Sequence, residues 1–383
     1  MPVNFDRSSP ALYSRRQAVG LLGAAAFAGC VGPSGAASLG ADRIAALARG
    51  FNLPDWVNLD AGIAPSDAVF EALHDLGLRS VRLPVDADQF GLGDRTETAA
   101  AARRLEQALN KLEVHGFAVT VDLHTSSIIF GLFDTAPEAA DAAAVAAWDA
   151  LGRVVAGSSP DHVFAELLNE PPMARDRWLA LRDRLAETVR RHCPAHTLIW
   201  GAARYQGIWE TLETPVLADA NAIAAVHYYT PLGFTHQCEN WGGSAFARFR
   251  GLPFPADDRS PEVIALRAAF VAAGDAEALE ALGEEFAAPW DVARIAADFA
   301  DIGAWSAAQG CPVVLNEFGV LGFCVDPVSR AAWTRAVRLA AEQNGLGWAY
   351  WELDQGFGFI ESRQSLAGFD LSLIDALVGD AAE

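Results

Sequence analysis

Eight short apolar runs, each of strand length and each followed by a stretch with helical spacing, constrain this chain more than any other feature. They are Leu47–Leu53, Ser80–Val85, Phe117–His124, His162–Asn169, Thr197–Ala202, Ala222–Tyr229, Pro312–Phe318 and Gly345–Trp351. Several are almost continuous in Val, Ile, Leu, Phe and Ala, as strands covered on both faces must be. Intervening stretches such as ETAAAARRLEQALNKLEVHG and ARDRWLALRDRLAETVRRH mix polar and apolar residues at the helical period, the first closing on Gly116. Eight strands alternating with helices predict one (β/α)8 barrel, an α/β fold. The 383 residues, 52% of them hydrophobic, suffice to build that core as a single domain.

One connection is too long for an ordinary barrel. At roughly 31 residues per β/α unit, three units leave about 50 residues unused between Glu170 and Glu317. The surplus falls at 230–289, after the sixth strand, and predicts an enlarged loop forming a wall or lid of the open face.

Residues 1–30 read as a targeting segment rather than as fold. Ser14–Cys30 joins Arg15 and Arg16 to an apolar run too short to span a bilayer, and is similar to a twin-arginine export signal. Its end, Phe27-Ala28-Gly29-Cys30, resembles a lipoprotein box, whose cleavage would leave Cys30 as a lipidated anchor. Ordinary cleavage near Ala36 is the alternative. A Gly/Ala/Ser/Pro linker over 31–40 then leads into a domain over 41–383. The expected location is periplasmic or extracellular, with or without a lipid tether.

The formal charge of −21 repels nucleic acid and anionic membranes but suits a neutral substrate. Past the signal, Cys193, Cys238, Cys311 and Cys324 match no zinc spacing, and no HxH or HExxH is present, so neither metal nor cofactor is expected. Cys193 and Cys311 adjoin core elements and read as buried thiols. The sequence leaves any disulfide pairing open.

Chemistry concentrates where the apolar runs end: Arg82, His124, Asn169 with Glu170, His227 with Tyr229, Glu317, and Trp351. That is the face on which barrel enzymes build their sites. Two glutamates there suit glycoside hydrolysis, which needs one carboxylic acid for the leaving oxygen and one carboxylate for the anomeric carbon. Asn169 and His227 are partners compatible with a protonated Glu170, whereas Arg82 and Tyr229 favour an ionised Glu317.

The order GFNL, VRLPV, DLH, LLNEPP, HYYTPLGFTHQ, NEFG and WAYW, each motif at a successive strand end, resembles glycoside hydrolase family 5, the cellulase family of retaining enzymes on a (β/α)8 barrel. Asn316 stands where Gly commonly precedes the second glutamate. The resemblance implies Glu170 as acid/base, Glu317 as nucleophile, and Arg82 and Tyr229 holding Glu317. It implies Asn169 on the sugar 2-hydroxyl, His124 facing the −1 sugar, His227 beside Glu170, and Trp351 as an aromatic platform. Trp56, Trp209, Phe234, His236 and Trp241 are candidate subsite linings, and Asp122 and Glu166 candidate supports from the barrel interior. The expected activity is endo-acting on β-1,4-glucan, by a monomer without cofactor or metal. Mannan, xyloglucan and β-1,3 or mixed-linkage glucan are the alternative substrates, and a catalytically silent carbohydrate-binding lipoprotein is the alternative class.

Overall fold

The computed structural model describes residues 39–58, 62–241 and 243–380. The export signal, Cys30 and most of the linker lie outside these residues. Eight parallel strands close into a barrel in sequence order, β1 (Arg49–Asn52), β2 (Ser80–Asp86), β3 (Ala118–His124), β4 (Val163–Glu166), β5 (Thr197–Gly201), β6 (Ala222–Tyr228), β7 (Val313–Phe318) and β8 (Gly347–Tyr350). Each coincides with one apolar run. The strands are buried almost throughout, because barrel interior and helical ring cover both faces. Inside the barrel, Phe164, Ile199, Ile223, Ala225 and Val314 pack into a plug, while the larger apolar cluster lies between strands and helices. Among the described residues no helix is long and apolar enough to cross a membrane.

Local signals place the helices. The helix Arg95–Val114 begins with a capping box, the Asp94 side chain accepting from the Glu97 N–H and the Glu97 side chain from the Asp94 N–H. In the helix Pro137–Val155 a proline occupies the first turn, where no N–H is needed.

One irregularity matters for the site. Between β6 and β7 the pairing runs Val226 with Leu315, then His227 with Glu317, so Asn316 is an extra residue on β7. Neighbours on a regular strand face opposite sides, yet Asn316 and Glu317 both reach buried partners in the interior, and the bulge permits it.

The long connection after β6 holds the short helix Leu232–Thr235, the 3-10 turn Ala245–Arg248, and the helices Pro261–Ala273 and Ala276–Glu285. It is docked rather than free. Cys238 forms a disulfide with Cys324 in the loop after β7, and two main-chain hydrogen bonds, Leu321 N–H to Thr235 and Gly251 N–H to Cys324, join the same segments. Cys193 and Cys311 are free and buried.

Candidate active site

The centre of the barrel mouth is Arg82, projected inward from β2 and only 2% exposed. Its Nε and Nη2 donate to the two oxygens of Glu166 at 2.7 and 3.0 Å, and Nη2 also approaches Asp122 at 2.9 Å. Nη1 donates to Glu317 Oε1 at 2.5 Å and to Asn52 Oδ1 at 3.0 Å, while Nη2 donates to Asn169 Oδ1 at 2.8 Å. One guanidinium on β2 therefore organises residues from β1, β3, β4 and β7 and from the segment just past β4. Although burial works against its charge, the carboxylates of Asp122, Glu166 and Glu317 hold it firmly protonated. A planar five-donor fork is suited to this role; an ammonium could not bond so many acceptors in one plane.

Glu317 rests on that fork. Its second oxygen accepts from the Tyr229 hydroxyl at 3.0 Å and lies 3.4 Å from His227 Nδ1. Burial raises its carboxyl above the ordinary value, and the positive charge of Arg82 works in the opposite direction. Glu170 is different. No cation touches it; its Oε1 lies 2.8 Å from His227 Nδ1, and burial lifts its carboxyl to about 7, with the charges of Asp122 and Glu166 adding to the rise. The imidazole of His227 is pushed down to about 4 by burial, so it is neutral near pH 7, and a proton on Nδ1 suits both carboxylates. One carboxyl oxygen each of Glu170 and Glu317 and a ring nitrogen of His227 all lie within 4.8 Å of one another. This arrangement can hold a proton on Glu170 and a negative charge on Glu317 at short range.

Around the pair, His124 Nδ1 lies 2.9 Å from Asp122 and its ring stacks on Trp351, centroids 5.9 Å apart and planes 16° from parallel. Asn169 Nδ2 is 3.4 Å from His124 Nε2. The structure thus brings Arg82, His124, Asn169, Glu170, His227, Tyr229, Glu317 and Trp351 to one rim. From the long connection, His236 contacts Tyr229 edge-on at 5.2 Å, and the half-exposed Trp241 meets His236 at 6.1 Å.

One expected lining is corrected. Phe234 is 1% exposed and packs on Phe254 inside the connection, so it cannot meet a sugar. The partly buried Trp56 ring packs against the core, its centroid 6.1 Å from that of Phe70. Trp209 is exposed on the short helix Ile208–Leu212.

Several contributors went unassigned in the sequence. Asn52 and Asn316 bond within the Arg82 cluster; Asn52 ends β1, where the pattern could have found it, whereas Asn316 turns inward only through the bulge in β7. Phe357, in the GFG after β8, meets His236 at 5.4 Å and Trp241 at 6.3 Å. Tyr205 and Gln206 follow β5 in a turn where Arg204, Tyr205 and Gln206 all take left-handed backbone, φ 52°, 69° and 58°. Such residues cost on the order of 1 kcal/mol or more each, and such conformations concentrate at functional sites.

Known proteins resemble this chain in sequence and in fold. Endoglucanase 3 of Fibrobacter succinogenes is 23% identical over 347 residues, covering 85% of this chain and 52% of that protein. Cellodextrinase A of Ruminococcus flavefaciens is 23% identical over 213 residues, covering 51% and 62%. The chain thus spans little more than half the length of these curated relatives. Thermotoga maritima Cel5A shares the barrel, with a TM-score of 0.70 and 24% identity in a cellobiose complex covering 88% of this chain and 98% of that one. Its mannotriose complex aligns with a TM-score of 0.69 and 23% identity, covering 88% and 99%. The family model for cellulase, glycosyl hydrolase family 5, matches residues 41–356, and the chain belongs to that family.

Proposed function

We propose that this chain is a glycoside hydrolase that cleaves β-1,4-linked glucan within the polymer, with retention at the anomeric carbon. The observation that carries the reading is the carboxyl pair. One oxygen of Glu170 and one of Glu317 lie within 4.8 Å, which supports the short carboxyl separation, roughly 5–5.5 Å, that retention requires. Their partners differ as the two roles require.

In the first step Glu317, oriented by Arg82 and Tyr229, attacks the anomeric carbon while Glu170 gives its proton to the departing glycosidic oxygen. The bond to the leaving sugar breaks and an ester to Glu317 forms. Ester formation removes the charge of Glu317, so Glu170 now releases its proton more readily and can serve as a base. It takes a proton from water, whose oxygen attacks the same carbon and frees Glu317. Asn169 is suited to the sugar 2-hydroxyl, a contact that strengthens in the transition state, and Trp351 offers the −1 sugar a flat apolar face.

Endo action is supported by the endoglucanase name of one relative, and a β-glucan substrate by that name together with the cellodextrinase name of the other. β-Mannan is the second reading, favoured by the mannotriose complex of Thermotoga maritima Cel5A. The same proposal has the protein exported through its twin-arginine-type segment, as a monomer tethered through Cys30 or released. The Cys238–Cys324 disulfide supports an oxidising compartment.

Proton NMR of cello-oligosaccharide cleavage should show the β-anomer of the new reducing end first; the α-anomer appearing first would rule out retention. Reducing-sugar release from carboxymethylcellulose, barley glucan, mannan and xyloglucan ranks the substrates, and a rate highest on mannan would displace the glucan reading.

A further inference from the structure

Glu317 is clamped at both side-chain oxygens, but Glu170 is not. Its carboxyl has one protein partner, His227, and 32% of the side chain is open to solvent. Its position must be set largely through its backbone, which takes a left-handed φ of 43° before two prolines. The Glu170 N–H donates to the side-chain Oε1 of Gln206 at 2.5 Å. The main-chain carbonyl of the same Gln206 accepts the N–H of His227 at 2.9 Å. A single buried residue therefore holds the main chains of Glu170 and of its imidazole partner.

We propose that Gln206 is the positioning residue for Glu170, fixing where its carboxyl meets the glycosidic oxygen through simultaneous bonds to Glu170 and His227.

Three further observations support this. Gln206 closes the run of three left-handed residues, a backbone that a glutamine does not adopt by preference. Its side chain lies over Gly201, the last residue of β5, where a Cβ would come within 2.2 Å of Gln206 Cγ and Nε2. The missing side chain at position 201 is the niche that receives it. Finally, Gln206 Nε2 is buried with no hydrogen-bond partner. An apolar residue would fill the niche without stranding a donor, so the amide is accounted for by the acceptor it supplies to Glu170.

The proposal rests on the acid/base reading of Glu170, and leaving-group dependence tests both separately. A phenyl leaving group needs protonation, whereas 2,4-dinitrophenolate departs without it. Purified wild type, Gln206→Met, Gln206→Glu and the reference Glu170→Ala are assayed on phenyl and 2,4-dinitrophenyl β-cellobioside, with melting temperatures recorded. Gln206→Met keeps the side-chain length and removes the acceptor. It should lower kcat/KM about 30-fold on the phenyl substrate, the scale of a misplaced general acid, and less than about threefold on the dinitrophenyl one. Gln206→Glu keeps an oxygen for the Glu170 N–H and should recover most of the phenyl rate. Should Gln206→Met fail to fold, Gly201→Ala, which displaces the Gln206 side chain, should give the same selective loss. Equal losses on both substrates, or a fall in melting temperature with both rates intact, would overturn the positioning role. Absence of leaving-group dependence in Glu170→Ala would instead remove the acid/base reading on which the role depends.

Discussion

Two regions meet at the cleft and are held by different forces. The barrel mouth is a network of charge and directed hydrogen bonds: Arg82 alone joins Asn52, Asp122, Glu166, Asn169 and Glu317. The wall after β6 is held by apolar packing around Phe234, Phe249 and Phe254, by one disulfide, and by peripheral ion pairs such as Arg248 with Asp275 at 2.7 Å. In the mouth, displacing one group disturbs every other, because buried polar groups have no water to fall back on. In the wall, contacts are less directional, and a local change can be absorbed locally. Chemistry that requires sub-ångström placement belongs to the first kind of region; a surface that shapes the entrance can belong to the second.

The largest expected effect lies in the mouth. Glu317→Gln and Glu170→Gln should each reduce kcat by about 10⁴-fold or more on polysaccharide, as removal of a nucleophile or general acid does. Melting temperatures should stay near wild type, since Asp122 and Glu166 still balance Arg82. Unfolding in place of lost turnover would erase the distinction between a catalytic mouth and a structural one.

Arg82→Met should cost about 3–5 kcal/mol of stability in addition to activity, because it leaves Asp122, Glu166 and Glu317 buried without their cation. Urea unfolding at pH 7 measures it, and a loss below about 1 kcal/mol would show that the network is better solvated than its burial indicates.

Breaking the wall should be milder and of another character. Cys238→Ser with Cys324→Ser should cost about 2–4 kcal/mol for a crosslink of this span. The rate on a small aryl cellobioside should remain within about threefold, because no catalytic group hangs on the bridge. A large loss of that rate would mean the wall helps to position the mouth.

Acidity gives the finest comparison, since each region holds a partly buried carboxyl raised to about 7, Glu170 in the mouth and Glu285 in the wall, the latter accepting the Gly233 N–H. A raised folded value means that the folded state retains a proton the unfolded chain has released. Each group's contribution is therefore complete below about 4.5 and lost as pH rises through about 7. Wild-type activity should fall above about pH 7 as Glu170 loses its proton. Glu285→Gln should reduce the decline in melting temperature across this window and leave the alkaline limb of activity in place. Movement of that limb would couple the two regions.

Much of the mouth was legible because strand chemistry is periodic. A strand buried on both faces is an apolar run, and where it leaves the core its next residues must either find polar partners or meet solvent. Arg82, His124, Glu170 and Glu317 announce themselves as charged or polar groups ending such runs. Asn316 did not, since its inward direction depends on a β-bulge created by pairing with β6. Gln206 was invisible for a related reason: it lies five residues past β5, and only the left-handed turn and the space over Gly201 return its side chain to Glu170. Phe234 shows the converse error. An aromatic residue near a strand end lines a cleft or fills a core according to its neighbours, and here Phe254 packs on Phe234 in a buried position.

The sequence by itself determined the barrel, the strand order, the long connection after the sixth strand, and the two glutamates at the mouth, since all follow from local periodicity and chain length. Tertiary structure alone decided that Cys238 pairs with Cys324, that one guanidinium binds five neighbours, and that Glu170 and Glu317 come within 4.8 Å with unequal partners. Those are relations between residues up to 235 positions apart, as between Arg82 and Glu317. Burial, distance and the resulting acidity belong to the assembled site, because each depends on which groups exclude water from which others.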